Sequence, residues 1–431
     1  MDPKRLIIGA VLLLGLSGAL WWSNKQEPKP PASAEDAPKV LEIPQDQIAR
    51  IEIRRMGSEP VVLVKGANWT IDAPVKLPAD GDAMNGMAAS LAVLSSERLV
   101  DDKVNDFAPY GLKAPLMTVI VGRKDGKTHT LHLGDSAPSG AAAYARVEGE
   151  QRLFLVSTST KSALEKTWRD LRDKRLLPFD SDKLTRVELG AIEFGKNNAN
   201  AWTILKPAAM RADNFAAEEL VRKLKDAKME VTNDTGEEAS FPAKFAAAKP
   251  VGIAKVTDHK GTMQIEVRMG KEKDYYAKSS ALEGIFKTTA ELGDGLAKGL
   301  DDFRNKKLFE FGFNQPDTVE VKQDGATYLF TKSGADWKRD GKTIDPGSVQ
   351  QLVDRLRELT ATKFAASAAG APLAEYTAGK EKVIVNKLGD IFYARRANEP
   401  EVYVLDGKTV SEIKDLAAAA KEMAPPPAAK K

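Results

Sequence analysis

Three pairs of a tyrosine and a basic residue, each separated by one alanine, have the residue types and spacing best suited to binding a ligand. Residues i and i+2 of a β-strand face the same side, so each pair would form one strip on a sheet. Tyrosine and arginine are common anchors at interfaces. The candidate strips are Tyr144 with Arg146, Tyr276 with Lys278, and Tyr393 with Arg395.

A structural interpretation of these pairs competes with the binding interpretation. On a sheet surface a tyrosine packs on its cross-strand neighbours, and the aliphatic stem of a basic residue lies over it. The threefold recurrence favours this structural interpretation, because a specific catalytic site seldom needs three copies. Whether any strip also binds a ligand stays open.

The other reactive residue types form no recognisable site. Cysteine is absent, which excludes a thiol nucleophile and cysteine metal sites. His129 and His132 are three apart in an extended run and would face opposite sides, and His259 lies beside a turn. We therefore predict no catalytic residue, no metal ligand and no cofactor.

The string Asp-Gly-Lys-Thr occurs at 125–128, 340–343 and 406–409. A phosphate-binding loop needs another glycine five positions before its Gly-Lys pair, and all three strings lack it. Asp-Gly is a favoured hairpin turn, because glycine tolerates a positive φ. We therefore predict turns at these positions.

A long internal repeat positions these residues. Trp69, Trp202 and Trp337 lie in similar strand-like runs. Each is followed by an aspartate that opens a run of apolar residues at helical spacing, where a carboxylate suits the N-cap better than catalysis. These aspartates are Asp80, Asp213 and Asp345.

Strand patterns lie on both sides of each such helix and are joined by short turns, which predicts an α+β fold with antiparallel sheet. We predict three related α+β repeats at 46–180, 181–312 and 313–423, of which the third is shortened.

The N-terminal residues predict membrane attachment. Leu6 to Trp22 carries no charge over 17 residues, which is the lower limit for spanning a bilayer. Lys4 and Arg5 precede this run and favour a cytoplasmic N-terminus. The prediction is a single-pass transmembrane helix at 1–23 in the inner membrane, a Pro-rich tether at 24–45, and a periplasmic or otherwise extracytoplasmic bulk. A cleaved signal peptide is the alternative.

The C-terminal residues 424–431, Ala-Pro-Pro-Pro-Ala-Ala-Lys-Lys, predict a disordered tail. The charges exclude another class of partner. Lys and Arg number 64 against 61 Asp and Glu, and the signs are interspersed, so we predict no nucleic acid binding.

Several motifs together resemble a bacterial family known as a domain of unknown function, DUF4340. They include the string YGLKAP from Tyr110, LGD from Leu133, YAR from Tyr144 and LFLV from Leu153. The first repeat matches best, and the third lacks the first two motifs at full length. The resemblance implies a membrane-tethered extracytoplasmic protein, often encoded beside ABC export permeases of the gliding-motility type, with no established catalytic residues.

These observations lead to an expected function. We expect a non-enzymatic, membrane-anchored envelope protein that binds or scaffolds a protein partner in an ABC-type transport complex. The alternative is an envelope glycan- or lipid-binding protein that uses the tyrosines as stacking faces. An enzyme is a third hypothesis, but no spacing selects a catalytic cluster.

Overall fold

A computed structural model describes residues 37–232 and 235–423 of the chain. Three antiparallel sheets, each combined with α-helices, make up this part of the protein. The predicted α+β class with antiparallel sheet is therefore confirmed. The chain divides between Lys174 and Arg175 into two compact units, which we call the N-terminal unit and the C-terminal unit.

The transmembrane helix in the predicted fold class requires a correction. No helix within residues 37–232 and 235–423 combines the length and the apolar composition needed to cross a membrane. The fold class is therefore α+β with three antiparallel sheets. The segments predicted as the anchor (1–23), as most of the tether (24–36) and as the tail (424–431) lie outside the described residues.

The last residues of the predicted tether belong to the folded structure. Val40, Leu41 and Ile43 are buried in the core of the N-terminal unit. The backbone N–H groups of Val40 and Ile43 donate to the carbonyls of Leu94 and Ala92, at 2.8 and 2.7 Å. This segment therefore packs on the unit from about Val40 onward.

The N-terminal unit contains the first sheet, which has nine strands in the order β4-β3-β2-β1-β6-β7-β8-β9-β5. Two meanders are joined by the antiparallel pair of β1 and β6. Alternate residues of β6 are buried, namely Met117, Val119 and Val121, so one face of the sheet is apolar. The strands are β1 (Ile48–Arg55), β2 (Val61–Lys65), β3 (Trp69–Ala73), β4 (Leu77–Pro78), β5 (Arg98–Asp101), β6 (Met117–Arg123), β7 (Thr128–Ser136), β8 (Ala142–Val147) and β9 (Leu153–Ser157).

The helices of the N-terminal unit are α1 (Gly81–Ala92), α2 (Thr158–Leu164) and α3 (Trp168–Leu171). Helix α1 lies in the sequence between the two meanders. It buries Met84, Met87 and Leu91 in the same core as the apolar face of the first sheet. Their spacing of three and four residues places them on one side of the helix.

The C-terminal unit contains the second and third sheets, ordered β13-β12-β11-β10-β14-β15-β16-β17 and β21-β20-β19-β18-β23-β24-β25-β26-β22. The second sheet has β10 (Arg186–Leu189), β11 (Ile192–Lys196), β12 (Trp202–Lys206), β13 (Met210–Arg211), β14 (Lys249–Asp258), β15 (Gly261–Met269), β16 (Tyr275–Ser279) and β17 (Phe286–Thr288). The third has β18 (Thr318–Gln323), β19 (Ala326–Ser333), β20 (Asp336–Arg339), β21 (Lys342–Ile344), β22 (Lys363–Ala365), β23 (Ala371–Ala378), β24 (Glu381–Leu388), β25 (Ile391–Arg396) and β26 (Val402–Leu405).

The helices of the C-terminal unit are α4 (Asn214–Lys225), α5 (Thr235–Ala247), α6 (Ala290–Leu296), α7 (Leu300–Phe303), α8 (Pro346–Arg357) and α9 (Gly407–Ala418). Helices α4 and α8 lie between the two meanders of their sheets, as α1 does in the first sheet. Leu176, Leu177 and Phe179, which the sequence interpretation placed in the first repeat, are buried in the core of the second sheet. The boundaries of the three repeats stay a prediction.

The three predicted helix caps are confirmed. The carboxylates of Asp80, Asp213 and Asp345 accept hydrogen bonds from backbone N–H groups in the first turns of α1, α4 and α8. Hydrogen bonds from the hydroxyl and the backbone of Ser348 lower the pKa of Asp345, which suits a cap that is charged. The backbone N–H of each aspartate also donates to a carbonyl further along the chain, that of Leu171, Phe303 or Lys421.

Two of the three Asp-Gly-Lys-Thr strings are turns. Residues 125–128 connect β6 to β7, where Gly126 has φ 83°, and residues 340–343 contain the turn between β20 and β21, where Gly341 has φ 77°. The predicted turn at 406–409 is wrong. Asp406 is the N-cap of α9, and its carboxylate accepts a hydrogen bond from the Thr409 N–H at 3.3 Å. A helix begins here because the apolar residues that follow recur at helical spacing.

A mostly buried arginine links the second and third sheets within the C-terminal unit. Arg211 of β13 pairs with Glu310 at 3.0 Å and with Glu399 at 2.9 Å. It also donates to the Lys307 carbonyl at 2.8 Å and to the Tyr403 hydroxyl at 2.9 Å. The side chains of Arg211 and Glu399 are only 20% and 22% exposed, whereas that of Glu310 is 41% exposed.

Candidate functional site

The first candidate strip is covered by another part of the N-terminal unit. Ala145 lies in the main core, so Tyr144 and Arg146 face the opposite side of β8. The Tyr144 ring lies 4.9 Å from the Tyr110 ring, and the Arg146 guanidinium lies 4.5 Å from the centre of the Phe107 ring. The structure therefore places this strip in packing contacts.

Two glycines allow the covering segment to approach the sheet closely. A Cβ atom on Gly134 would lie 2.2 Å from the Tyr110 carbonyl oxygen, which is far inside van der Waals contact. Gly111 has φ 67° and lies against the Asp135 carboxylate. The motifs YGLKAP and LGD are thus the two sides of one backbone crossing.

The second candidate strip is divided between the interior and the surface. Tyr276 is 2% exposed, and its ring lies 5.6 Å from the Phe241 ring of α5. Phe245 of the same helix belongs to the same small apolar cluster. Lys278 is exposed. Helix α5 therefore covers Tyr276, as the segment that contains Phe107 and Tyr110 covers Tyr144 in the first strip.

The third candidate strip is the most open of the three. Ala394 is buried in the core of the third sheet, so Tyr393 and Arg395 face outward. Tyr393 is half-buried, and Arg395 is exposed. The segment between α8 and β23, residues 358–370, is shorter than its counterparts in the other sheets and contains only the short strand β22. In the part of the C-terminal unit that the structure describes, the outer face of the third sheet therefore has a shorter segment beside it than the second sheet has.

His129 and His132 lie on β7, and His259 lies in the turn between β14 and β15. His132 Nδ1 lies 3.2 Å from the Thr118 hydroxyl, and His132 is paired across the sheet with Arg146. Burial lowers the pKa of His132, and Arg146 lowers it further, although Glu148 acts in the opposite direction. Within the described ranges, no group of three or more His, Cys, Asp or Glu side chains is placed to hold a metal ion.

A groove of about 1060 Å³ lies in the N-terminal unit between α1 on one side and α2 and α3 on the other. Its floor is apolar and consists of buried residues. The walls carry small and hydroxyl side chains, among them Gly86 and Ser90 on α1 and Thr160 and Ala163 on α2. The floor residues are Met87, Leu91, Leu94, Leu164 and Leu171.

One end of the groove carries positive charge. Lys166 and Lys174 line this end, together with the carboxylate of Asp170. Burial tends to raise the pKa of Asp170, but donors on Thr167 and the two lysines lower it. The Asp170 carboxylate already accepts from the Thr167 N–H at 2.8 Å, in the capping box of α3. Two lysines and one engaged carboxylate leave this end positive.

The sequence interpretation missed the groove. None of its lining residues is reactive, and α1 reads as an ordinary amphipathic helix. The available signal was a comparison between repeats. Gly86 and Ser90 are small where the aligned positions of the other repeats carry long side chains, such as Lys223 and Arg355.

Fold and site together define a protein of three antiparallel sheets, each combined with α-helices. Its N-terminal unit has a groove between helices, with an apolar floor and two lysines at one end. A family model, described as Domain of unknown function (DUF4340), matches residues 69–200 and 202–380. The chain belongs to this family, since the two matches cover more than half of it. The two matches begin at Trp69 and at Trp202, which are two of the repeated tryptophans. No curated protein and no solved structure matches the chain.

Proposed function

We propose that this protein is a non-enzymatic accessory that binds or scaffolds a membrane transport complex of the ABC type. The observation that carries the proposal is the open groove of the N-terminal unit. Its apolar floor would be stabilised by a partner that removes it from water.

We propose further that the protein works at the inner membrane, with its bulk in the periplasm or otherwise outside the cytoplasm. The uncharged sequence from Leu6 to Trp22, preceded by Lys4 and Arg5, supports this location. The association with ABC export permeases is an expectation from the family resemblance.

Rigid connection of the sheets would suit a scaffold. Arg211 ties the second sheet to the third through two carboxylates, a hydroxyl and a backbone carbonyl. A partner bound to one of these sheets would thereby be held at a defined position relative to the other.

Affinity isolation of the full chain from detergent-solubilised native membranes tests this function. We expect a permease or another subunit of one transport complex to copurify in fixed proportion. Recovery of no envelope protein, under conditions that preserve known membrane complexes, would contradict the proposal.

An envelope glycan- or lipid-binding role is the second candidate. The open face around Tyr393 and Arg395 favours it, because an accessible tyrosine offers a stacking face and the arginine offers donors to hydroxyl or phosphate groups. Binding of the purified chain to isolated cell-wall glycan and to anionic vesicles would be compared with the Tyr393→Ala variant. Equal binding by both proteins would rule this strip out.

A further inference from the structure

The helices that correspond to the groove walls contact each other in the third sheet. Helices α8 and α9 take the positions of α1 and α2 there. Arg355 of α8 donates to the Thr409 hydroxyl at 2.9 Å and pairs with Glu412 at 2.5 Å, both on α9. An arginine and a carboxylate therefore close the space that is open in the N-terminal unit.

The second sheet closes the same space with different residues. Lys223 of α4 lies against Gly295 of α6, so closely that a Cβ atom on Gly295 would lie 2.8 Å from the Lys223 Cδ atom. One residue before, Arg222 pairs with Glu291 at 3.2 Å. In both sheets of the C-terminal unit, a long basic side chain and a covering helix fill the position.

Ser90 and Ala163 occupy the equivalent positions in the N-terminal unit. Ser90 precedes Lys223 and Arg355 by the same intervals that separate the capping aspartates. Ala163 precedes Gly295 and Glu412 by the intervals that separate Tyr144, Tyr276 and Tyr393. The groove is open because these short side chains cannot reach across it.

We propose that the groove is a docking site for one amphipathic α-helix of a partner protein, which presents carboxylates to Lys166 and Lys174. This proposal rests on the proposed function and deepens it, since it names the surface and the kind of partner element. The partner helix takes the position that α9 takes on α8.

The shape of the groove favours a helix over other occupants. The floor of the groove includes one face of α1. The corresponding faces of α4 and α8 in the C-terminal unit are covered by helices α6 and α9. A Cβ atom on Gly86 would have no neighbour within 4 Å, so a second backbone has room to approach. Helix α1 has 12 residues and is roughly 18 Å long, which matches about three turns of a partner.

Charge and location define the partner helix further. The positive end at Lys166 and Lys174 favours a partner that carries carboxylates. Arg355 pairs with Glu412 in the same way between α8 and α9 of the third sheet. Lys39 forms a β-bridge with Ser95, which lines the groove. The first described residues of the chain therefore lie beside the groove.

Site-specific photo-crosslinking in native membranes tests this assignment. A photoreactive amino acid replaces Val93, which lines the groove and is 62% exposed, in the full-length chain. The same amino acid at Lys127, in the exposed β6–β7 turn, is the matched control. Mass spectrometry then maps the crosslinked residues.

We expect the Val93 position to crosslink to one segment of one protein, at residues spaced three or four apart and flanked by Asp or Glu. The Lys127 position should not crosslink to that segment. Crosslinks to lipid, to glycan, to residues 1–36 of this chain, or to many unrelated proteins would overturn the proposal.

Two variants separate the docking site from the general function. Ser90→Arg with Ala163→Glu rebuilds the pair that closes the third sheet and should lower the crosslink yield at least tenfold. Lys166→Glu with Lys174→Glu leaves the floor intact and should lower it by a similar factor. Asn85→Arg, an exposed change on α1 outside the groove, should leave the yield unchanged.

The outcomes distinguish the two proposals. If affinity isolation recovers a transport subunit but no groove crosslink or variant effect is found, the docking site is wrong and the accessory function stands. If no envelope protein is recovered and no crosslink forms, both proposals fail.

Discussion

Replacement of Arg211 by alanine should loosen the connection between the second and third sheets. Arg211 is 20% exposed, and its loss removes the donors to Tyr403 and the Lys307 carbonyl. Breaking a fully buried ion pair costs about 3–5 kcal/mol, and the low end applies here because Glu310 is 41% exposed. Glu399 keeps its pairing with Arg396 at 2.8 Å, which offsets part of this cost. We therefore expect the free energy of unfolding of the C-terminal unit to fall by about 3 kcal/mol.

Arg222→Ala is the matched control. Arg222 also contacts two carboxylates, on Asp226 and Glu291, but its side chain is 56% exposed. Surface ion pairs contribute about 0–1 kcal/mol, so this variant should unfold nearly as the unmodified chain does. The comparison isolates burial from the number of ion pairs.

Urea denaturation combined with hydrogen exchange measures both variants. A loss of about 3 kcal/mol should lower the urea midpoint by roughly 1–3 M at typical denaturant slopes. Backbone amides of β12 and β25, which lie in different sheets, should be protected from hydrogen exchange to a similar degree in the unmodified chain. In Arg211→Ala the two sets of amides should exchange at different rates. Equal midpoints for the Arg211 and Arg222 variants would refute the assigned role of the buried network.

Three further predictions concern the N-terminal unit and the candidate strips. The pKa of His132 is lowered in the folded state, so below pH 6.5 the unfolded state binds a proton that the folded state does not. The free energy of unfolding should therefore fall as the pH drops from 6.5 through the folded pKa of His132. Urea titrations at several pH values should show a flatter decline for His132→Gln. Tyr276→Ala should cost about 3–5 kcal/mol, since it empties a site under Phe241, whereas Tyr393→Ala should cost about 1 kcal/mol or less; similar losses would show that the third strip is covered after all. Gly134→Ala should cost about 1–3 kcal/mol in thermal or urea unfolding, because its Cβ meets the Tyr110 carbonyl, while Gly66→Ala, whose Cβ would have its nearest neighbour at 3.9 Å, should cost less than 1 kcal/mol.

Local features of the fold were predictable from the sequence. The caps at Asp80, Asp213 and Asp345 and the turn at 125–128 depend on residues within a few positions of each other, and the structure contains them. The same locality explains the error at Asp406. Asp-Gly suits both a turn and a helix start, and only the apolar residues further on, such as Val410 and Ile413, decide for the helix.

The candidate site could not be predicted in the same way. The groove depends on Ser90 and Ala163, which are distant in sequence, and on the absence of long side chains rather than the presence of a motif. The three tyrosine strips look alike in sequence but differ in what covers them. Phe107 and Phe241 lie in dissimilar segments, and the third sheet has a shorter connection there.

The Arg211 network depends on four partners brought together by tertiary structure. Lys307, Glu310, Glu399 and Tyr403 come from two stretches about ninety residues apart, and no spacing rule connects them with Arg211. Ion pairs of this kind become recognisable only once the sheets are in place.

Cysteine labelling tests most directly whether the groove is occupied in the cell. The chain has no cysteine, so Val93→Cys provides a single reactive thiol at the groove rim. A polar maleimide should react with this thiol at least ten times more slowly in native membranes than in the purified protein, while Lys127→Cys reacts equally in both. Equal rates for Val93→Cys in the two preparations would show that nothing covers the groove and would contradict the account.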